Sequence, residues 1–134
     1  MSVRRFSSGG PWEQMFGYSR AVAAGPFVWT AGCTAYVDGV LRHAGDPYRQ
    51  TLEAFGVALR AIEQAGCAAG DVVQTRLYVA HIRDAEEIGR AHAELFGEVR
   101  PAATMVQVSG FVDPGMLVEV EVVAFRHGAR GEPS

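Results

Sequence analysis

A single apolar stripe runs along residues 47–65 of this 134-residue chain. Leu52, Phe55, Leu59 and Ile62 fall at i, i+3, i+7 and i+10, which is the spacing of one face of a helix. The stripe therefore predicts an amphipathic helix over 47–65.

The residues at both ends of this segment support the same helix. Asp46 is a residue type that caps free backbone N–H groups, and Pro47 suits the first helical position. Gly66 follows the stripe as the predicted left-handed residue just after the helix. These residues therefore predict where the helix begins and ends.

A second helix and a set of strands follow from the same kind of pattern. Residues 85–96 have a second apolar stripe, and Asp84 followed by Glu87 is typical of a capping box. Alternating or β-branched segments predict strands over 18–23, 27–30, 72–79, 104–108 and 117–125, and Asp38-Gly39 predicts a tight hairpin turn. This order predicts an α+β fold, in which a mixed β-sheet has two helices packed on one face.

The two ends of the chain have weaker patterns. Residues 1–17 are predicted to be irregular apart from a short edge strand near Val3–Phe6, and the tail 127–134 is predicted to be disordered. The whole chain, 1–134, is predicted to form a single domain with its core over about 16–126.

Composition excludes several classes of function. The formal net charge is −3 and no run of basic residues occurs, which argues against a nucleic-acid-binding protein. The apolar stretches are too short to span a bilayer. No secretory leader is recognised, so Cys33 and Cys67 are expected to be reduced thiols in a cytoplasmic protein.

Sequence motifs for cofactors are missing. The chain has neither a G-x-G-x-x-G nor a Walker pattern, and its four histidines lack metal-ligand spacing. His81 follows a predicted strand and Cys33 follows another, so each could take part in chemistry. A solvated loop histidine and a buried structural thiol are the favoured interpretations.

Charged residues on the predicted strands are the better candidates for a site. Glu119 and Glu121 alternate with valines, so one of them could enter a cleft as an acid or base, or both could lie on an exposed sheet face. Arg20, Arg76 and Arg100 could bind a carboxylate through a bidentate fork. For Arg76, pairing with Glu119 or Glu121 across strands is slightly favoured.

Several segments, taken in order, resemble the YjgF family, also called Rid for reactive-intermediate deaminase. They are residues 17–22 (GYSRAV), 28–32 (VWTAG), 61–66 (AIEQAG), 70–79 (GDVVQTRLYV), 100–106 (RPAATMV) and 117–121 (LVEVE). The resemblance covers about residues 16–126. It implies a chorismate-mutase-like fold, a homotrimer with the open sheet faces turned inward, and small-molecule clefts between subunits. An uncovered apolar sheet face would independently favour such an assembly.

The resemblance also implies a chemistry. Active members hydrolyse reactive enamines and imines, such as 2-aminoacrylate, to keto acids and ammonia without a metal or organic cofactor. By position, Glu119 matches the glutamate that handles the attacking water. The predicted substrate-binding residues are Tyr18, Ala31, Gly32, Arg76, Ala103, Thr104 and Met105.

One position departs from the family pattern. Where active members have an arginine that holds the substrate carboxylate, this chain has Ala103. Losing a guanidinium–carboxylate pair costs about 1.5–3 kcal/mol, and a methyl group cannot replace it. Three possibilities stay open at this point: the substrate lacks a carboxylate, another arginine substitutes, or the protein binds a small metabolite without catalysis.

Overall fold

The computed structural model describes residues 2–127. Eight strands and three helices follow one another along the chain. They are β1 (Val3–Phe6), α1 (Pro11–Phe16), β2 (Ala21–Ala24), β3 (Phe27–Thr30), β4 (Tyr36–Val37), β5 (Val40–Leu41), α2 (Pro47–Gln64), β6 (Val72–Val79), α3 (Ala85–Phe96), β7 (Ala102–Gln107) and β8 (Val118–Phe125). The predicted tail lies, from residue 128 onward, outside the described residues.

Six of the strands form one mixed sheet in the order β1-β2-β3-β8-β6-β7. All neighbours are antiparallel except β6 and β7, which are parallel and are joined by α3. Strands β4 and β5 form a separate hairpin around the predicted Asp38-Gly39 turn. The predicted α+β class with a mixed sheet is confirmed.

Strand β8 shows why one face of the sheet is covered and the other is open. Val118, Val120 and Val122 are buried beneath the helices, whereas Glu119 and Glu121 lie on the opposite face and are partly exposed. Because side chains alternate along a strand, the regular Val/Glu pattern divides the strand between core and open face. Helices α2 and α3 therefore cover one face of the sheet only, as predicted.

Helix α2 begins and ends where the sequence predicts. The Asp46 carboxylate accepts a hydrogen bond from the backbone N–H of Arg49 at 3.0 Å, and Pro47 opens the helix. Gly66 has φ of 87°, the left-handed conformation that glycine adopts at little cost. The buried Phe55 and Ile62 place the apolar stripe against the sheet.

The predicted capping box of α3 is wrong. Asp84 makes no capping side-chain bond, although the helix itself spans the predicted residues. A 3₁₀ turn over Ile82–Asp84 runs directly into the helix, so Asp84 has φ of −87° and ψ of 5°. An N-cap side chain usually reaches its donor from an extended backbone, which Asp84 does not adopt here.

The prediction that the first 17 residues are irregular, apart from the edge strand, is also wrong. Strand β1 is present as predicted, but Pro11–Phe16 forms helix α1. Gly17 follows with φ of 78°, and the backbone N–H of Tyr18 bonds to the Glu13 carbonyl at 2.9 Å. Tyr18 therefore completes the end of α1, and β2 begins at Ala21 rather than at residue 18.

The open face of the sheet exposes large apolar side chains. Trp29 is 42% exposed, Phe27 39% and Val106 44%. The Trp29 and Phe27 rings stack with centroids 5.8 Å apart. Within residues 2–127, no helix is long and apolar enough to cross a membrane.

Candidate functional site

A cavity of about 350 Å³ lies beside the sheet, between α1, the end of β3, the β4–β5 hairpin and the loop before β8. Its lining is mainly aromatic and apolar, with few charged groups. The lining residues are Ser8, Gly10, Pro11, Trp12, Phe16, Tyr18, Arg20, Ala31, Gly32, Thr34, Tyr36, Val57, Phe111, Val112, Met116 and Glu119. A concave, mainly apolar wall with a few convergent polar groups is typical of a small-molecule site.

Glu119 supplies the carboxylate of this cavity. It lies on the open face of β8, directly against the backbone of Gly32, where a Cβ would collide with the carboxyl group. In the described part of the chain no group donates a hydrogen bond to this carboxylate. Burial raises the pKa of Glu119, the nearby charge of Glu121 raises it further, and Arg20 opposes both. A raised pKa makes a carboxyl group a better proton acceptor than an ordinary surface carboxylate, which suits it to move protons during a reaction.

Arg20 is the cation of the cavity wall. One terminal nitrogen, Nη1, donates to the Gly32 carbonyl at 2.5 Å and lies 3.5 Å from Cys33 Sγ, while Nη2 lies 3.5 Å from the Tyr18 hydroxyl. The Nε atom lies 3.5 Å from a Glu13 carboxylate oxygen. The guanidinium therefore holds together the backbone and side chains that shape the cavity.

Glu13 neutralises Arg20 from helix α1. Its carboxylate is buried and accepts hydrogen bonds from the hydroxyl of Ser7 at 2.9 Å and from the hydroxyl and backbone N–H of Ser8. Burial acts to raise the pKa of Glu13, but these bonds and the charge of Arg20 together hold it below its ordinary value. Glu13 is therefore ionised at neutral pH, and it anchors α1 over the cavity.

The aromatic wall was not predicted from the sequence. Trp12 and Tyr36 are in contact, with ring centroids 4.6 Å apart and an angle of 44° between the rings. Trp12 comes from α1, whose limits are signalled by Pro11 and Gly17, the residue types favoured just inside the start and just past the end of a helix. Phe111 comes from an irregular loop, where no local pattern indicates a site.

The predicted site residues fall into two groups. Tyr18, Ala31, Gly32 and Glu119 all line the cavity. The other four lie on β6 and β7, at the far edge of the sheet, and do not line it. They are Arg76, Ala103, Thr104 and Met105.

Strand β7 divides its three predicted residues between the two faces of the sheet. Thr104 shares the open face with Arg76 and Glu121, because the three lie in one cross-strand row. Ala103 and Met105 point to the helix-covered side, where Ala103 is exposed at the edge and Met105 packs against the core. Arg76, Ala103, Thr104 and Met105 of one chain therefore cannot contact a ligand in the cavity of that same chain.

Arg20 is the one of the three candidate arginines that lines the cavity. Arg76 lies on the open face, 3.9 Å from Glu121 Oε1, which also accepts a hydrogen bond from Tyr78 at 2.7 Å. This confirms the cross-strand pairing of Arg76. Arg100 lies between α3 and β7, with φ of 56°.

The remaining candidates have structural surroundings. Cys33 is 1% exposed, and burial raises the pKa of its thiol while the charge of Arg20 opposes the shift. Its thiol donates to the Ala31 carbonyl at 3.3 Å, which confirms a buried thiol. His81 is an exposed residue at the start of a 3₁₀ turn. Among residues 2–127, no three His, Cys, Asp or Glu side chains converge on a point that could hold a metal ion.

Comparison with known proteins identifies the family of this chain. The sequence pattern of the family described as Endoribonuclease L-PSP matches residues 12–126. The chain belongs to this family. A solved structure from Mycobacterium tuberculosis, described as a member of the YjgF/YER057c/UK114 family, is 42% identical. It superimposes with a TM-score of 0.83, covering 92% of this chain and 99% of that one. The family assigned by resemblance is thereby confirmed.

Two other relatives show what is known within the YjgF family. An uncharacterized protein of Streptomyces coelicolor is 51% identical over 125 residues, which is 93% of each chain. The 3-aminoacrylate deaminase RutC of Acinetobacter baylyi is 33% identical over 97 residues, covering 66% of this chain and 76% of that one. The family therefore includes a deaminase whose similarity extends over two thirds of this chain.

Proposed function

We propose that this protein hydrolyses a reactive imine or enamine to a carbonyl compound and ammonia, in a cleft between the subunits of a homotrimer. The observation that carries this proposal is the Glu119 carboxylate, which lies in the cavity against Gly32 and has no hydrogen-bond donor within residues 2–127. The relationship to a 3-aminoacrylate deaminase supports the same reaction class.

The reaction needs one group that moves protons, and Glu119 takes that role. An enamine first takes a proton from solvent at carbon, which gives the iminium ion. Water then adds to the iminium carbon while Glu119 accepts one proton from the water. The carboxyl group gives this proton to nitrogen, the C–N bond breaks, and ammonia leaves. The protonated carbonyl that remains loses its hydroxyl proton to the Glu119 carboxylate, which returns it to solvent. No oxidant, reductant or cofactor is required for this balance.

A second copy of the chain would complete the cleft. Strand β7 forms the edge of the sheet, and Thr104 lies on the open face beside it. We propose that β7 of a neighbouring copy closes the cavity, so that Arg76, Ala103, Thr104 and Met105 contact the substrate from across the interface. A cytoplasmic location, expected from the sequence, belongs to the same proposal.

The aromatic wall favours a second candidate, binding of a small metabolite without turnover. The cavity is large and apolar enough to hold a ligand whether or not Glu119 transfers protons. Ala103, at the position of the family arginine, supports this alternative because a bound carboxylate would lack that partner. Detectable hydrolysis separates the two candidates.

Cleavage of RNA, to which the family description refers, has less support. Arg20 is the one basic side chain among the residues lining the cavity, and Glu13 already neutralises it. RNA binding relies on several cations that neutralise phosphates, and the chain has a net charge of −3.

The test is a hydrolysis assay with two imines made in situ. A serine dehydratase supplies 2-aminoacrylate, and a flavin-dependent amine oxidase acting on benzylamine supplies benzaldimine. We expect the protein to accelerate carbonyl formation above the spontaneous rate with at least one of them. No acceleration of either, by protein whose folding and assembly are verified, would replace the hydrolase with the binding candidate.

A further inference from the structure

The cavity combines aromatic rings with a single unneutralised charge. Trp12 and Tyr36 form a tilted pair with centroids 4.6 Å apart, and Phe16, Tyr18 and Phe111 line the same space. Aromatic faces attract cations through the negative potential of the ring, most strongly when water is excluded. The walls therefore favour a flat apolar group or an organic cation.

The charges of the lining sum to a negative site. Arg20 is paired with Glu13, 3.5 Å away, and its Nη1 donates to the Gly32 carbonyl. Cys33 beside it is buried, and burial raises the pKa of the thiol, so it stays neutral at neutral pH. Glu119 is left as the carboxylate without a salt bridge or hydrogen bond from residues 2–127. A ligand carboxylate would meet net repulsion from this lining, whereas a cation would meet a partner.

The proposed contact from a neighbouring copy does not change this balance. Arg76 would enter together with Glu121, whose Oε1 lies 3.9 Å from the Arg76 guanidinium, so the pair adds no net charge to the cavity.

The cavity extends beyond the carboxyl group of Glu119. Trp12, Tyr36 and Phe111 line the same space of about 350 Å³, which is partly open to solvent. An aryl group or an apolar chain on the substrate would lie against these three rings.

We propose that the preferred substrate is an iminium cation without a carboxylate, with an aryl or similarly sized apolar substituent held by the aromatic wall and its N–H group facing Glu119. This inference rests on the proposed hydrolysis and names its substrate class. The overall change is R–CH=NH₂⁺ plus water giving R–CHO and NH₄⁺. The C=N bond is replaced by C=O, and the positive charge leaves on ammonium.

Binding of stable analogues tests this proposal without depending on turnover. Isothermal titration of the whole protein would use benzylammonium, benzyl alcohol, phenylacetate and methylammonium. We expect benzylammonium to bind at least tenfold more tightly than each of the other three, because it alone combines the cation with the ring. Phenylacetate binding as tightly as benzylammonium would overturn the proposal.

Two variants and one control test which residues cause the preference for benzylammonium. Glu119→Gln should remove the advantage of benzylammonium over benzyl alcohol, while Glu86→Gln, a charge-matched change on the exposed surface of α3, should keep it. Trp12→Leu should weaken benzylammonium binding several-fold and should weaken methylammonium binding less, because methylammonium has no ring to pack against the wall. Unchanged benzylammonium affinity in Glu119→Gln would contradict the assigned charge partner.

The binding and hydrolysis experiments can fail independently of each other. Selective benzylammonium binding without hydrolysis of benzaldimine would leave the ligand class standing and remove the enzymatic activity. Hydrolysis of 2-aminoacrylate together with tight phenylacetate binding would keep the activity and overturn the ligand class.

Discussion

In the cavity, Gly32 lies directly against the Glu119 carboxyl group. A side chain at position 32 would occupy space that the carboxyl group now fills, whereas the backbone itself is held by Arg20. The carboxyl group lies at the end of a flexible side chain, so an added methyl would displace it rather than unfold the protein. Position 32 thus controls where the Glu119 carboxyl group lies.

Gly32→Ala should therefore lower activity more than stability. We expect kcat/KM for imine hydrolysis to fall on the order of tenfold to a hundredfold, as small displacements of catalytic groups do. The midpoint of thermal unfolding should change little. Gly70→Ala is the matched control, since a Cβ there meets nothing within 4 Å. A Gly32→Ala variant with unchanged kcat/KM would show that this contact does not position the carboxylate.

Helix α3 is attached to the sheet through a histidine as well as through apolar packing. His92 Nε2 lies 2.8 Å from Thr75 Oγ1 on β6, and the imidazole contacts the rings of Phe55 and Phe96. Burial lowers the pKa of His92 below its ordinary value of 6.5. The neutral imidazole is therefore the form that the native packing holds.

This arrangement predicts a loss of stability in mild acid. As pH falls below about 6.5, His92 of the unfolded chain takes up a proton before that of the folded chain, so the free energy of unfolding decreases until the folded pKa is passed. Urea unfolding between pH 7 and pH 5 should show this decrease. His92→Gln retains a group that can bond to Thr75 but does not titrate, so its decrease should be smaller. Equal decreases in both proteins would exclude His92 as the cause.

The elements differ in how far the sequence could predict them. The long helix α2 and the strand β8 were predicted because each is buried along one regular face, and that period is visible in the residues themselves. Helix α1 has only six residues, too few to show a helical stripe, so Pro11 and Gly17 were its sole local signals.

The residues of the site also differ in whether neighbouring sequence could predict them. Glu119 was predicted from its place among alternating valines and from the family resemblance. The aromatic wall depends on Trp12, Tyr36 and Phe111 meeting across three separate segments, which no local pattern encodes. Likewise, the neutralisation of Arg20 by Glu13 depends on where α1 packs.

At the scale of the whole molecule, the helices leave one sheet face uncovered. Trp29, Phe27 and Val106 are all partly exposed on that face, while the core on the other side is closed. Large apolar side chains exposed across one sheet face are expected where that face meets another molecule. The proposed trimer covers this face and places β7 of one copy beside the cavity of the next.

Assembly can be measured directly by light scattering coupled to size exclusion. We expect a mass three times that of one chain. Val106→Asp, which places a charge on the open face, should lower the assembled mass, whereas Val40→Asp on the β4–β5 hairpin should not. A single-chain mass for the unaltered protein would contradict the proposed intersubunit cleft.

In the proposed mechanism the Glu119 carboxylate moves the protons of imine hydrolysis, and one comparison of variants tests this role most directly. Rates of carbonyl formation from in-situ imines would be measured for the unaltered protein, Glu119→Gln and the control Glu86→Gln, all of verified assembly. We predict that Glu119→Gln loses about a hundredfold or more of the acceleration, the range for removal of a general acid–base, and that Glu86→Gln loses none. Acceleration by Glu119→Gln equal to that of the unaltered protein would contradict the mechanism.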